Sequence, residues 1–193
     1  MAIKAIIFDC FGVLVVPTTD QLIRDFPDKK ADIKDIAMQA DYGYMTRDEY
    51  NQQAAEITGL GIKQFQARYW NNRMRNQAAF DWVSELKRQG EHKIGLLSNV
   101  SVWRMDDYIP KQERTQLFDA VVLSGEEGVV KPAIEIFEIA AHRLGVDVSE
   151  CIMIDDVLEN VEGASRAGMK SILFTDTTEA RADLAKLLKD DNA

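Results

Sequence analysis

Five short apolar runs constrain this chain more than any other feature: AIIF (5–8), KIGLL (93–97), AVVL (120–123), CIMI (151–154) and SILF (171–174). Each is rich in β-branched or other apolar residues and lacks polar alternation, the pattern of a strand buried on both faces. Helical stripes separate the last four. Ala79, Val83 and Leu86 recur at helical spacing ahead of Gly90; Ile136, Phe137, Ala140 and Leu144 follow Pro132 and end at Gly145; Val157, Val161 and Ala164 precede Gly168. Strands alternating with helices of this size predict an α/β fold, a Rossmann-like parallel sheet covered by helices on both faces.

Polar residues follow every run: Asp9, Ser98-Asn99, Ser124-Gly125, Asp155-Asp156 and Thr175-Asp176. Ligands of such sheets bind outside the carboxyl ends of the strands, so the five ends are expected to gather into one site. Between the first and second runs lie about 80 residues, far more than one crossover helix needs. An insertion is expected over 17–78, leaving a core formed by 1–16 and 79–193. Within the insertion, Thr46 followed by Glu49 resembles a capping box with Gly59 as the stop, and 62–76 reads as a further helix. A small α-helical cap emerging just after Asp9 would hang over the carboxyl edge of the sheet, where a lid belongs. The tail from Thr178 reads as a last helix.

Length and composition agree with one core plus a small appendage: 193 residues, 46% hydrophobic and 28% charged. A net charge of −9 argues against nucleic acid as a partner, because phosphate backbones need a basic surface. The first apolar run is too short for a signal peptide and no run approaches the roughly 18 residues of a membrane span, so a cytoplasmic protein without a membrane partner is expected. Cys10 and Cys151 sit in or beside apolar runs, as buried reduced thiols do, and lack metal-ligand spacing. His92 and His142 read as surface residues and give no support to a histidine-based triad.

Carboxylates, one lysine and hydroxyls remain. A carboxylate such as Asp9 can attack phosphorus or carbon and split one displacement into two easier ones. Attack on a phosphate dianion is opposed by charge, so a divalent cation is needed, and Mg²⁺ takes oxygen ligands of the kind Asp155 and Asp156 supply. Lys131 is a point charge expected in an extended segment, because the residue before Pro132 avoids the helical region. Ser98 and the backbone amides around Asn99 can donate to phosphate oxygens.

"FDCFGVL", "LLSNVS", "GVVKPAIEIF" and "MIDDVLENVEGASRAGM" stand in the order and spacing of the four signatures of haloacid dehalogenase-like (HAD) hydrolases. The chain resembles the branch of that family with a helical cap inserted after the first signature. The match spans 1–16 and about 79–176, whereas the insertion is similar only in position and helical character. The resemblance implies Asp9 as nucleophile, Ser98 as the phosphate-binding hydroxyl and Lys131 as stabiliser of the pentacovalent state. It implies that Asp156, assisted by Asp155, holds Mg²⁺, with Asp9 and the main-chain carbonyl of Phe11 as further ligands. The substrate would be a small phosphorylated molecule.

Phe11 departs from the pattern. Most phosphatases of the family carry there a second aspartate that protonates the leaving oxygen and then activates water, work typically worth about 10² to 10⁴ in rate. Three readings follow. A phosphatase can manage with a good leaving group or another proton donor. A 2-haloacid dehalogenase carries an aromatic residue here and needs no metal, but Asp155-Asp156 would then be a costly like-charge pair, where those enzymes have a sequence resembling Ser-Asn. A binding or regulatory protein could have lost most catalysis.

Trp103 and Arg104 after the second signature, and Arg68, Tyr69, Trp70 and Arg73 in the insertion, can be placed near substrate. The simpler expectation is that the aromatics are core and the arginines solvated. Asn160 is expected to orient the metal-binding loop, and Gly12 to serve the backbone turn after the first strand.

Overall fold

β1 (Ala5–Phe8) takes the middle of the sheet, and its composition explains why: Ala5, Ile6, Ile7 and Phe8 are each 0% exposed. A computed structural model describes residues 2–70 and 74–191. The other strands are β2 (Lys93–Ser98), β3 (Ala120–Leu123), β4 (Cys151–Asp155) and β5 (Lys170–Leu173). All pair in parallel in the order β3-β2-β1-β4-β5, with Phe8 in register with Leu96 on one side and Ile154 on the other. The fifth strand begins one residue earlier than its apolar run suggests, although the Phe174 N–H still reaches the Asp155 carbonyl at 2.8 Å.

The helices are α1 (Thr18–Asp25), α2 (Lys30–Asp41), α3 (Arg47–Thr58), α4 (Ile62–Tyr69), α5 (Gln77–Gln89), α6 (Val102–Tyr108), α7 (Lys111–Leu117), α8 (Ser124–Glu127), α9 (Ile134–Leu144), α10 (Leu158–Ala167) and α11 (Thr177–Asp191). Strand alternation divides the core in two. Ile6, Phe8, Leu96 and Ile154 pack with Phe80, Trp82 and Val83 of α5 and Leu184 of α11, and Phe8 meets Trp82 edge-on at 5.1 Å. Ala5, Ile7, Leu97 and Met153 face the opposite way, onto Ile136, Phe137 and Ala140 of α9 and Ala164 of α10. The described residues contain no helix long and apolar enough to cross a membrane.

α1 to α4 fill the insertion, around buried Tyr50, Phe65 and Tyr69. The reciprocal Thr46–Glu49 box starts α3 and Gly59, at φ +70°, ends it, as the sequence predicts. α4 stops at Tyr69 instead of running to 76. The chain there must rejoin the core: Arg75 bridges Val15, and the Asn76 side chain accepts from the Ala79 N–H to cap α5 while donating to the Val13 carbonyl. The Val16 N–H to Met74 carbonyl bond, 2.9 Å, completes a neck in which departing and returning segments hold each other.

Gly163 marks a close approach that positions the turn before α9. A β-carbon there would lie 2.8 Å from both the carbonyl oxygen and the Cβ of Pro132. Gly163→Ala is expected to cost about 1–3 kcal/mol, read as a lower urea midpoint with an unchanged slope.

Candidate active site

The three central strands deliver the chemistry. Asp9 leaves β1 with its N–H bonded to the Ile154 carbonyl at 2.9 Å, and it is only 5% exposed. A tight loop follows: the Cys10 carbonyl accepts from Leu14 and Val15, and the Gly12 N–H donates to Val15 at 2.8 Å. Gly12 has φ +89°, as its turn role predicts, and a second requirement the sequence does not reveal. Its Cβ would stand 2.0 Å from Asp156 Oδ2.

Lys131 is no surface lysine. It is 3% exposed, and its Nζ lies 2.8 Å from Asp9 Oδ1 and 2.5 Å from Asp155 Oδ2. Nor is its segment extended. The Ala133 N–H to Val130 carbonyl bond, 3.0 Å, closes a turn over Lys131 and Pro132, whose joining peptide is cis. Asn99, from the end of β2, clamps the turn: its Oδ1 accepts from the Lys131 N–H at 2.8 Å and its Nδ2 donates to the Lys131 carbonyl at 2.9 Å. The Asn99 side chain is thus engaged in holding the lysine.

Asp155 is fully buried, its Oδ1 accepting from the Val157 N–H at 2.9 Å and from Asn160 Nδ2 at 3.0 Å, as expected for Asn160. Asp156 is exposed, and oxygens of Asp9, Asp155 and Asp156 all lie within 4.8 Å of one another. Ser98 is 0% exposed and its hydroxyl has no partner among the described residues. A buried donor without an acceptor is an opening for an anionic ligand.

The edge strands do not contribute as expected. The Ser124 hydroxyl accepts from the Val100 N–H and donates to the Asp41 carbonyl, while Asp176 accepts from the Thr178 and Glu179 N–H groups to start α11. Strand order puts β3 and β5 at the margins, where these polar ends tie down helices and the insertion.

Arg104 corrects a second expectation, because it is 3% exposed instead of solvated. Its Nη1 donates to Asp41 Oδ1 at 3.0 Å, and its guanidinium carbon lies 5.7 Å from the Phe11 ring centre. Phe11 also meets Tyr108 edge-on at 4.9 Å, and the Tyr108 hydroxyl bonds Thr18. Trp103 is partly buried, with its indole N–H on the Met45 carbonyl at 3.0 Å. Arg68 is exposed and paired with Asp25, whereas Tyr69 and Trp70 belong to the apolar interior of the insertion; Arg73 lies outside the described residues. The sequence reading missed Asp41, since nothing in its local pattern links it to Arg104, 63 residues away.

Burial first, then the neighbouring Asp155 and Asp156, push the Asp9 carboxyl up to about 7 against the pull of Lys131. Asp156 is open on one side, but desolvation by the protein on the other and the neighbouring Asp155 push its carboxyl up to about 6. Burial opposes charge on Lys131, but Asp9 and Asp155 outweigh it and hold the ammonium above its ordinary range. Three carboxylates against one ammonium leave two surplus negative charges among oxygen-only donors, which suits a hard divalent cation such as Mg²⁺.

The family model for haloacid dehalogenase-like hydrolases matches residues 3–168. A sesquiterpene phosphatase of Aspergillus oryzae is 27% identical over 196 aligned residues, 96% of each chain. A glyceraldehyde 3-phosphate phosphatase of Methanothermobacter thermautotrophicus is 35% identical over 101 residues, which cover 51% of this chain and 44% of that one. Among solved structures, a HAD family enzyme of Bacteroides thetaiotaomicron, in complex with magnesium and inorganic phosphate, superposes with a TM-score of 0.73 at 23% identity over 92% of this chain and 98% of that one. An L-2-haloacid dehalogenase of Xanthobacter autotrophicus gives 0.63 at 22% identity over 93% and 81%. At these identities the two structures attest the shared fold.

The raised carboxyls set a pH dependence. Against an ordinary 3.8, Asp9 near 7 and Asp156 near 6 make the metal-free folded chain bind more protons than the unfolded chain in between. Their contribution to stability is therefore full below about pH 4 and lost as pH rises to about 7. In chelator the thermal midpoint is expected to carry this loss, Mg²⁺ to restore it at about pH 8 but not at about pH 5, and Asp156→Asn to shrink both effects.

Proposed function

Because the chain belongs to the haloacid dehalogenase-like hydrolases, we propose that it is a Mg²⁺-dependent phosphomonoesterase acting on a small phosphorylated metabolite through an aspartyl-phosphate on Asp9. One observation carries this reading: the carboxylates of Asp9, Asp155 and Asp156 converge within 4.8 Å of one another, with a single buried lysine bridging the first two. Relatives that act on phosphate esters support the reaction class. Free buried thiols at Cys10 and Cys151 suit a reducing cytoplasm.

In this reading Asp9 attacks phosphorus. Its N–H anchor to β4 and the Lys131 contact restrict the attacking carboxylate to a narrow range of orientations. Lys131 would bond phosphoryl oxygens as charge develops on them, with Asn99 holding its backbone in place. The Ser98 hydroxyl supplies a further donor. Asp9, the Phe11 main-chain carbonyl and Asp156 would hold Mg²⁺ with the help of Asp155, and the ion would neutralise nucleophile and phosphate together. The helices of 17–78 act as a cap that shields the 1–16 and 79–193 core from water. The acid pair weighs against dehalogenation, where a neutral carbon centre offers no reason to concentrate negative charge.

Purified protein is expected to release inorganic phosphate from phosphorylated metabolites with Mg²⁺, to stop in chelator, and to fall to background on Asp9→Asn. Chloride release from 2-chloro acids should be absent. Phosphate release that survives metal removal or the Asp9 substitution overturns the reading.

A further inference from the structure

Phe11 removes the proton donor from its usual place, and the groups packed against it or beside it in sequence do not supply a replacement. Arg104 stays charged, the Tyr108 hydroxyl is bonded to Thr18, and burial holds the Cys10 thiol well above its ordinary range. A cleft of about 390 Å³ opens between the insertion and the core, lined by Thr19, Met38, Asp41, Asn99 and Lys131 among others. Asp41 is the one acidic residue of that lining among the described residues.

Asp41 ends α2 and is fastened to the core twice. Its main-chain carbonyl accepts from the Ser124 hydroxyl at 2.5 Å, and its Oδ1 accepts from Arg104 Nη1 at 3.0 Å. Oδ2 has no hydrogen-bond partner among the described residues, and the side chain keeps 26% of its surface exposed. Arg104, which holds Oδ1, also stands 5.7 Å from the Phe11 ring, so one guanidinium connects the cap carboxyl to the position that lacks an acid. Desolvation by the surrounding protein pushes the Asp41 carboxyl up to about 7 against Arg104 and Lys131, even though one edge of the side chain reaches the cleft. Lys131, in the same cleft, is the residue paired with the nucleophile.

We propose that Asp41 is the general acid and base of this site, a catalytic residue contributed by the cap in place of the one Phe11 displaces. The inference rests on the phosphomonoesterase reading. In the first step Asp9 bonds phosphorus, the ester P–O bond breaks, and the Asp41 proton passes to the departing oxygen, releasing an alcohol. In the second, the Asp41 carboxylate takes a proton from water as the water oxygen bonds phosphorus; the Asp9–phosphorus bond breaks, inorganic phosphate leaves, and Asp41 is again protonated.

General acid catalysis is diagnosed by the leaving group. Wild-type kcat/KM in Mg²⁺ is measured across phosphate esters from p-nitrophenol to simple alcohols, and again for Asp41→Asn and Asp20→Asn. Asp20 is the informative control, an exposed cap acid near enough to Asp156 to raise its pKa but absent from the cleft lining. The wild type is expected to depend shallowly on the leaving group. Asp41→Asn should lose about 10²-fold or more on alkyl esters while p-nitrophenyl phosphate stays within about threefold, and Asp20→Asn should keep the wild-type ratio between the two esters whatever its absolute rate. The ratio of the two rates in one preparation is independent of how much variant is folded.

A steep wild-type dependence, an equal loss on both esters in Asp41→Asn, or the selective loss appearing in Asp20→Asn overturns the assignment. If the wild type releases phosphate from no ester, the phosphatase reading fails and this inference with it.

Discussion

A single buried ammonium holds the site together. Lys131 lies between Asp9 and Asp155, all three sealed from solvent, and removing such ions from water costs several kcal/mol each unless geometry and hydrogen bonds offset it. The surroundings answer that demand. Asp155 takes bonds from Val157 and Asn160, Asp9 is fixed through its backbone to β4, and Asn99 grips the lysine turn from both sides. The sheet order makes the arrangement work, because β1 between β2 and β4 brings the carriers of Asp9, Asn99 and Asp155 to adjacent strand ends.

The same charge count gives Phe11 a structural rationale. A carboxylate there would join Asp9, Asp155 and Asp156 and deepen a repulsion that already raises two of them. An aromatic ring adds no charge, leaves the main-chain carbonyl available, and packs against Tyr108 and Arg104. Those partners reach the insertion in turn, Tyr108 through Thr18 and Arg104 through Asp41. Phe11 is therefore part of the joint between the insertion and the core.

What the sequence made legible was local. Strands, helix stops, the Thr46–Glu49 cap and the acids at the ends of β1 and β4 follow from patterns a few residues long, and they appear where expected. What it hid depends on contacts between distant segments. Strand order decides that Ser124 and Asp176 do other work, and the return through Arg75 and Asn76 ends α4 early. Arg104 looks like a solvated arginine until Asp41, in another element, closes over it. Proline at 132 suggested an extended lysine, whereas the observed chain folds a turn there under the clamp of Asn99.

Several features of the site make the folded chain less stable than it could be. A buried hydroxyl with no acceptor among the described residues, as at Ser98, costs roughly 1–3 kcal/mol, and two raised carboxyls add repulsion. The apolar layers on either side of β1 can carry that cost because they owe nothing to the site's polar groups. An anion accepting from Ser98 and Lys131, together with a cation among the carboxylates, would relieve these defects at once. Local cost concentrated at one set of strand ends, while the apolar layers stay regular, is the pattern expected where a chain trades stability for a site.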